Sequence, residues 1–187
     1  VYCLLGADAY VSINGLTVDN SAGPGVSNTL RAPVYINATA SAVAHIRRVS
    51  GTWKTQSAAV SASFIRMSGA RGVIEYNRGM ILSGGDTSGC LIRVANDSGV
   101  QADSVMIRNN QGVNQTAGGF LILVGADGAG ANDNKTNYCS IFGNDVAGTD
   151  AATLMHGICV SNSKGGCCFS NTVRNAAIPF LAKLCSE

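Results

Sequence analysis

The chain has 187 residues and a net charge of +2; 13% of its residues are charged, 46% are hydrophobic, and 23 are glycine against 3 proline. Intrinsic disorder is excluded by so apolar a composition. The lack of any Lys or Arg run excludes an extended phosphate-binding face, which must neutralise several phosphates at once. No apolar stretch approaches the ~20 residues of a membrane-spanning helix.

From the N-terminus, strand-like runs fall at residues 10–13, 34–36, 44–49 and 64–67, with a turn-rich stretch at 20–25. The densest basic spot, Arg47-Arg48 with Lys54 nearby, lies among them. Residues 1–72 are expected to form irregular N-terminal coils. From Val73 a repeat takes over. An apolar residue is followed three positions later by asparagine at Ile74/Asn77, Ile107/Asn110, Ile141/Asn144 and Cys168/Asn171. Intervals of 33, 34 and 27 residues between these asparagines match one coil of a solenoid. A second apolar run follows each asparagine, at residues 89–94, 119–124, 157–160 and 177–181, so each coil carries at least two strands.

Alternation of faces along a strand assigns the columns. In the first strand Ile74, Ile107, Ile141 and Cys168 point inward, and Glu75, Arg108, Phe142 and Phe169 outward. In the second, Cys90, Phe120, Ile158 and Ile178 form one inward column and Ile92, Ile122, Val160 and Phe180 another. Glu75 is then expected beside Arg108, and Phe142 beside Phe169. The turn residues Asn77, Asn110, Asn144 and Asn171 suit a sharp corner, because asparagine tolerates the left-handed region and its amide can bond to the equivalent amide one coil away. The expected architecture is all-β, one solenoid domain over 1–187, with regular coils of about 27–34 residues at 73–181 and a tail at 182–187. A start at Val1 without Met fits a piece of a longer polypeptide.

The motifs Ile141-Phe142-Gly143-Asn144-Asp145-Val146, His156-Gly157-Ile158-Cys159-Val160-Ser161-Asn162 and Cys168-Phe169-Ser170-Asn171-Thr172-Val173-Arg174-Asn175 resemble the right-handed parallel β-helix superfamily. This pectate-lyase-like fold is shared by polysaccharide lyases, some glycoside hydrolases and bacteriophage tailspikes. The resemblance covers roughly residues 73–181. It implies a tailspike- or tail-fibre-like homotrimer that binds host surface polysaccharide, sited in a virion tail or outside a cell. Alternatives are a free-standing polysaccharide lyase or glycoside hydrolase, and a purely structural trimeric shaft.

Asp97 and Asp127 share one offset, eight residues after Gly89 and Gly119. On adjacent coils they would lie ~5–10 Å apart, the range of glycosidase carboxylate pairs. Asp also favours such turns for its own backbone bonding, so whether the chain is an enzyme stays open. Trp53, Tyr76 and Tyr138 offer apolar faces for sugar rings, and Asp133 is placed to line a groove wall. Leu91, Leu121, Leu123 and Leu181 fall on the outward face of the second strand, an apolar stripe expected to be the trimer interface. Neither histidine has metal-site spacing, and the glycines at 125–130 do not follow a dinucleotide fingerprint. No cofactor, metal, nucleic acid or membrane insertion is expected. The seven cysteines match no zinc signature. Cys90, Cys139 and Cys168 read as small buried hydrophobes of a chain that folds in a reducing compartment.

Overall fold

A computed structural model describes residues 1–20, 32–55, 62–84, 88–95, 100–125, 136–149, 154–161 and 163–183. Within them all regular structure is β. The first coil holds β1 (Tyr2–Leu5), β2 (Ala9–Asn14) and β3 (Thr17–Asn20), and the second β4 (Val34–Ala38), β5 (Ala42–Arg47) and β6 (Ser50–Thr55). Next come β7 (Ser63–Ser68), β8 (Arg71–Glu75) and β9 (Met80–Gly84), then β10 (Gly89–Ala95), β11 (Val105–Arg108) and β12 (Gln111–Thr116). The last two triplets are β13 (Gly118–Val124), β14 (Cys139–Phe142) and β15 (Asp145–Gly148), and β16 (Leu154–Ser161), β17 (Gly166–Phe169) and β18 (Thr172–Arg174). β19 (Ile178–Lys183) begins a further coil.

Every third strand pairs with its equivalent one coil away, and all pairings are parallel. The result is a parallel β-solenoid with sheets of 7, 6 and 6 strands. The coils before Val73 keep the same three-sheet register as those after it.

Register turns repeated side chains into columns that fill the interior. In the second sheet Ile13, Ile46, Ile74, Ile107, Ile141 and Cys168 stand one above another. Ile46 through Ile141 in this column are fully buried. Cys168 breaks the pattern. It is exposed, and it lies on the last strand of its sheet among the described residues. Beside this column, Gly72 stacks on Ala44 with φ 137°, and a Cβ there would collide with the Ala44 carbonyl. Only glycine tolerates that backbone.

The corner between the second and third sheets is built differently from the sequence expectation. Left-handed residues are Arg48, Tyr76, Asn109, Gly143 and Ser170, with φ of 54°, 54°, 54°, 65° and 52°. Each ladder asparagine follows one of them, so the asparagine is not itself the left-handed residue. Its work is hydrogen bonding. The Nδ2 of Asn77, Asn110 and Asn144 donates to the Oδ1 of the next asparagine at 2.8, 2.9 and 2.8 Å. The backbone amides of the same three residues donate to the same oxygens at 3.2, 3.1 and 3.1 Å. Nδ2 also reaches back to the carbonyls of Ile46, Ile74 and Ile107. Val49 takes the equivalent place one coil earlier, and its amide donates to Asn77 Oδ1 at 2.9 Å. Polar groups that the sharp corner strips from the sheets are thereby satisfied.

Two registers of the first sheet depart from expectation. Phe120 pairs with His156 and Ile122 with Ile158, a shift of two residues in β16 relative to the glycine-based alignment. Strict alternation also fails. Leu91 and Ile92 both join the main core, as do Leu121 and Ile122, while Cys90, Phe120 and Leu123 lie in a second buried cluster. Asn114 Nδ2 donates to the Phe120 carbonyl at 3.0 Å and to the Gly89 carbonyl at 2.9 Å. Asn114 is fully buried, and Thr116 Oγ1 donates to its Oδ1 at 2.7 Å.

Candidate functional site

The leucine stripe is not an open surface. Leu91, Leu121 and Leu123 are completely buried within the single chain, the first two in the main core. Leu123 does sit on the outward column, between Arg93 and Cys159, but it is covered in the cluster of Cys90, Phe120 and Cys159. Leu181 packs half-buried against that cluster. Cys90 belongs to this outer cluster too and not to the interior.

Asp97, Asp127 and Asp133 lie outside the described residues. The other carboxylates have local duties. Glu75 faces Arg108 in register, with Oε2 2.7 Å from Nη2 and 2.8 Å from Nε. Asp145 Oδ1 lies 2.8 Å from Arg174 Nη1, and Asp103 Oδ1 accepts the Asn137 amide at 3.2 Å. Among the described residues no three His, Cys, Asp or Glu side chains gather closely enough to hold a metal ion.

The three aromatic candidates are not brought together. Trp53 stands in register with Leu82 and, one coil on, Asn114; both are fully buried, and Trp53 packs against the core. Tyr138 precedes β14 and is 58% exposed, while Tyr76 follows β8 and is 44% exposed. They sit on opposite corners, separated by the length of a second-sheet strand.

Tyr76 is the one that borders a concavity. Arg48, Tyr76 and Arg78 surround a hollow of about 370 Å³ on the corner between the second and third sheets. Consecutive coils place Arg48 and Tyr76 at the same left-handed corner position. Each is followed by a residue of the ladder, Val49 or Asn77, whose 2.9 Å bond ties the two corners together. Arg78 owes its position to an irregularity in the repeat. In the other coils a single residue separates the ladder position from the residue aligned with Met80 in the third sheet: Thr17, Ser50, Gln111, Asp145 and Thr172. Between Asn77 and Met80, which pairs with Gly51 and Gly112, there are two, Arg78 and Gly79. The extra residue widens this corner alone and carries Arg78 outward. Sequence reasoning marked Arg47-Arg48 and Tyr76 separately. Coil stacking joins them; the extra residue belongs to the Arg78 segment, and its signal was the spacing from Asn77 to Met80.

A second hollow, about 380 Å³, opens at the C-terminal end of the solenoid between Ile158, Cys168, Phe169, Asn171, Val173 and Phe180. Phe169 stacks on Phe142 with centroids 4.9 Å apart and planes 3° apart. Among the described residues, the hollow lies at the end of the core. Nearby, burial first and then Cys168 and Cys167 push the Cys139 thiol up to about 12. Burial likewise raises Cys168, against the lowering effect of its hydrogen bond from Asn171. Cys139 is therefore a protonated, unreactive core residue at neutral pH.

No protein-family model, curated protein or solved structure matches this chain. Its class rests on the coordinates: an all-parallel β-solenoid.

Proposed function

We propose that this β-solenoid is a carbohydrate-recognition module of the tailspike or tail-fibre kind, which binds a host surface polysaccharide on its outer wall. The observation that carries this reading is the hollow at Tyr76. The coil interior is filled by side-chain columns, which leaves the outer wall and the ends for ligands. On the wall, Tyr76 is a large exposed ring beside a concavity whose backbone is fixed by the asparagine ladder. Exposed aromatic faces of this sort stack on the apolar face of a pyranose ring, with neighbouring polar groups free for its hydroxyls. Hydrolysis or elimination of the glycan would be an additional property resting on Asp97 and Asp127.

A glycan array probed with the wild-type chain and with Tyr76→Ala tests the proposal. Binding to one glycan class, weakened about tenfold or more in the variant, supports it. A chain that binds no glycan returns the module to the purely structural shaft.

A further inference from the structure

We infer that the glycan recognised at this corner is acidic, and that Arg48 and Arg78 bind its carboxylate, sulfate or phosphate while Tyr76 stacks on the sugar ring that bears it. This deepens the polysaccharide reading above and rests on it.

The inference comes from the charge balance of the corner. Arg47, Arg48 and Arg78 are all exposed, and among the described residues none of them makes an ion pair. Glu75 pairs in register with Arg47 on one side and Arg108 on the other. It is held by Arg108, through contacts of 2.7 and 2.8 Å, and is not shared. Two guanidinium groups, those of Arg48 and Arg78, are thus left around one hollow, with Arg47 next to Arg48 in the chain, in a protein whose net charge is only +2. Such a concentration of like charge in a low-charge protein costs repulsion and contributes nothing to the core. An anionic ligand offsets it. Guanidinium groups bind carboxylate, sulfate and phosphate oxygens through paired N–H donors, a geometry that an ammonium lacks.

The extra residue gives the same indication. A regular corner, as in the other coils, has one residue between the ladder position and the residue aligned with Met80, whereas here Arg78 and Gly79 share that span. The coil that departs from the rule is the one that brings a second arginine to the aromatic ring. At about 370 Å³ the hollow lies at the small end of ligand sites, which run from ~300 to ~1,000 Å³. It admits one residue of a longer sugar chain. A nucleic acid strand would need a run of cations along its backbone, whereas the cations here converge on one hollow.

Titration calorimetry tests this with four probes at low and at physiological salt: oligogalacturonate, a heparin-derived oligosaccharide, a neutral xylan oligosaccharide and a single-stranded oligonucleotide. Binding of the carboxylated or the sulfated oligosaccharide is expected, weakened by salt, and whichever binds tighter identifies the acidic group. Arg48→Gln and Arg78→Gln should each lower that affinity by about tenfold. Both residues are exposed, and unchanged melting curves would confirm folding; Arg78→Lys should recover only part of the loss. If xylan binds as tightly as the acidic probes, or if both Gln variants bind the acidic probe like wild type, the acidic assignment is wrong although polysaccharide recognition survives. If no sugar probe binds, both readings fall. An oligonucleotide that outcompetes every sugar would overturn the inference in favour of nucleic acid.

Discussion

Asn110 donates its side-chain amide to Asn144 Oδ1 at 2.9 Å and its backbone amide to the same oxygen at 3.1 Å, so one carbonyl closes both polar gaps of the corner below it. Repeated coil by coil, this bond fixes the left-handed residues that present Arg48 and Tyr76.

Position within the ladder should govern the cost of breaking it. Asn110→Leu would leave the backbone and side-chain amides of Asn77 without their shared acceptor, and the Ile74 carbonyl without its donor, in a buried site. Loss on the order of 3 kcal/mol is expected, since each unsatisfied buried group costs ~1–3 kcal/mol. Asn171→Leu, at the half-exposed end of the ladder, should cost about 1 kcal/mol, because water can replace its bonds. Urea unfolding of the two variants checks the order; equal costs would mean that the ladder is not a buried network.

Two neighbouring outward pairs should differ in kind. A double-mutant cycle on Glu75 and Arg108 is expected to give at most about 1 kcal/mol, shrinking in 1 M salt. The same cycle on the stacked rings of Phe142 and Phe169 should give ~0.5–1.5 kcal/mol and ignore salt. A salt-sensitive ring pair would contradict the stacking geometry.

Leu121→Asp should unfold the coil and not merely dissociate an assembly. A carboxylate placed in the main core without a partner costs several kcal/mol, about 3–5 by comparison with broken buried pairs. Circular dichroism melting reads this directly. A folded variant with wild-type melting behaviour would place Leu121 on an open face, as strict alternation had suggested.

Cys139 links stability to alkaline pH. Its ordinary value of 9.0 is raised to about 12 in the fold. Below pH 9 folded and unfolded chains both keep the proton. Between 9 and 12 the unfolded chain releases it and the folded chain does not, so stability falls as pH rises, by up to about 1.4 kcal/mol per unit. Cys139→Ala should remove that slope. Denaturant midpoints for the two proteins that keep a constant difference from pH 8 to pH 11 would show that the thiol is not buried.

Much of the fold was legible because a solenoid writes its contacts at a fixed period. Ile74, Ile107 and Ile141 announced a buried column, and Glu75–Arg108 and Phe142–Phe169 followed from the same count. The errors arose where a residue responds to something outside the period. Leu91 and Leu121 join the main core against alternation, and no local pattern marks them; the nearby Gly89 and Phe120 carbonyls are held by Asn114, a residue of another strand. Cys168 sits in an inward column but on the last strand of its sheet among the described residues. Trp53, in register with Leu82, packs half-buried against the core. The candidate site was legible only in parts, since Arg48 and Tyr76 are 28 positions apart in sequence and meet through coil stacking.

Polysaccharide is proposed to bind at the corner formed by Arg48, Tyr76 and Arg78. Amide chemical-shift mapping during titration with the oligosaccharide that binds tightest locates the contact. Shifts should concentrate on residues 47–49 and 76–79, with the distant corner at Tyr138 unmoved. Saturating binding that instead perturbs Tyr138, or the C-terminal hollow at Phe169 and Phe180, while leaving Tyr76 unchanged would contradict it.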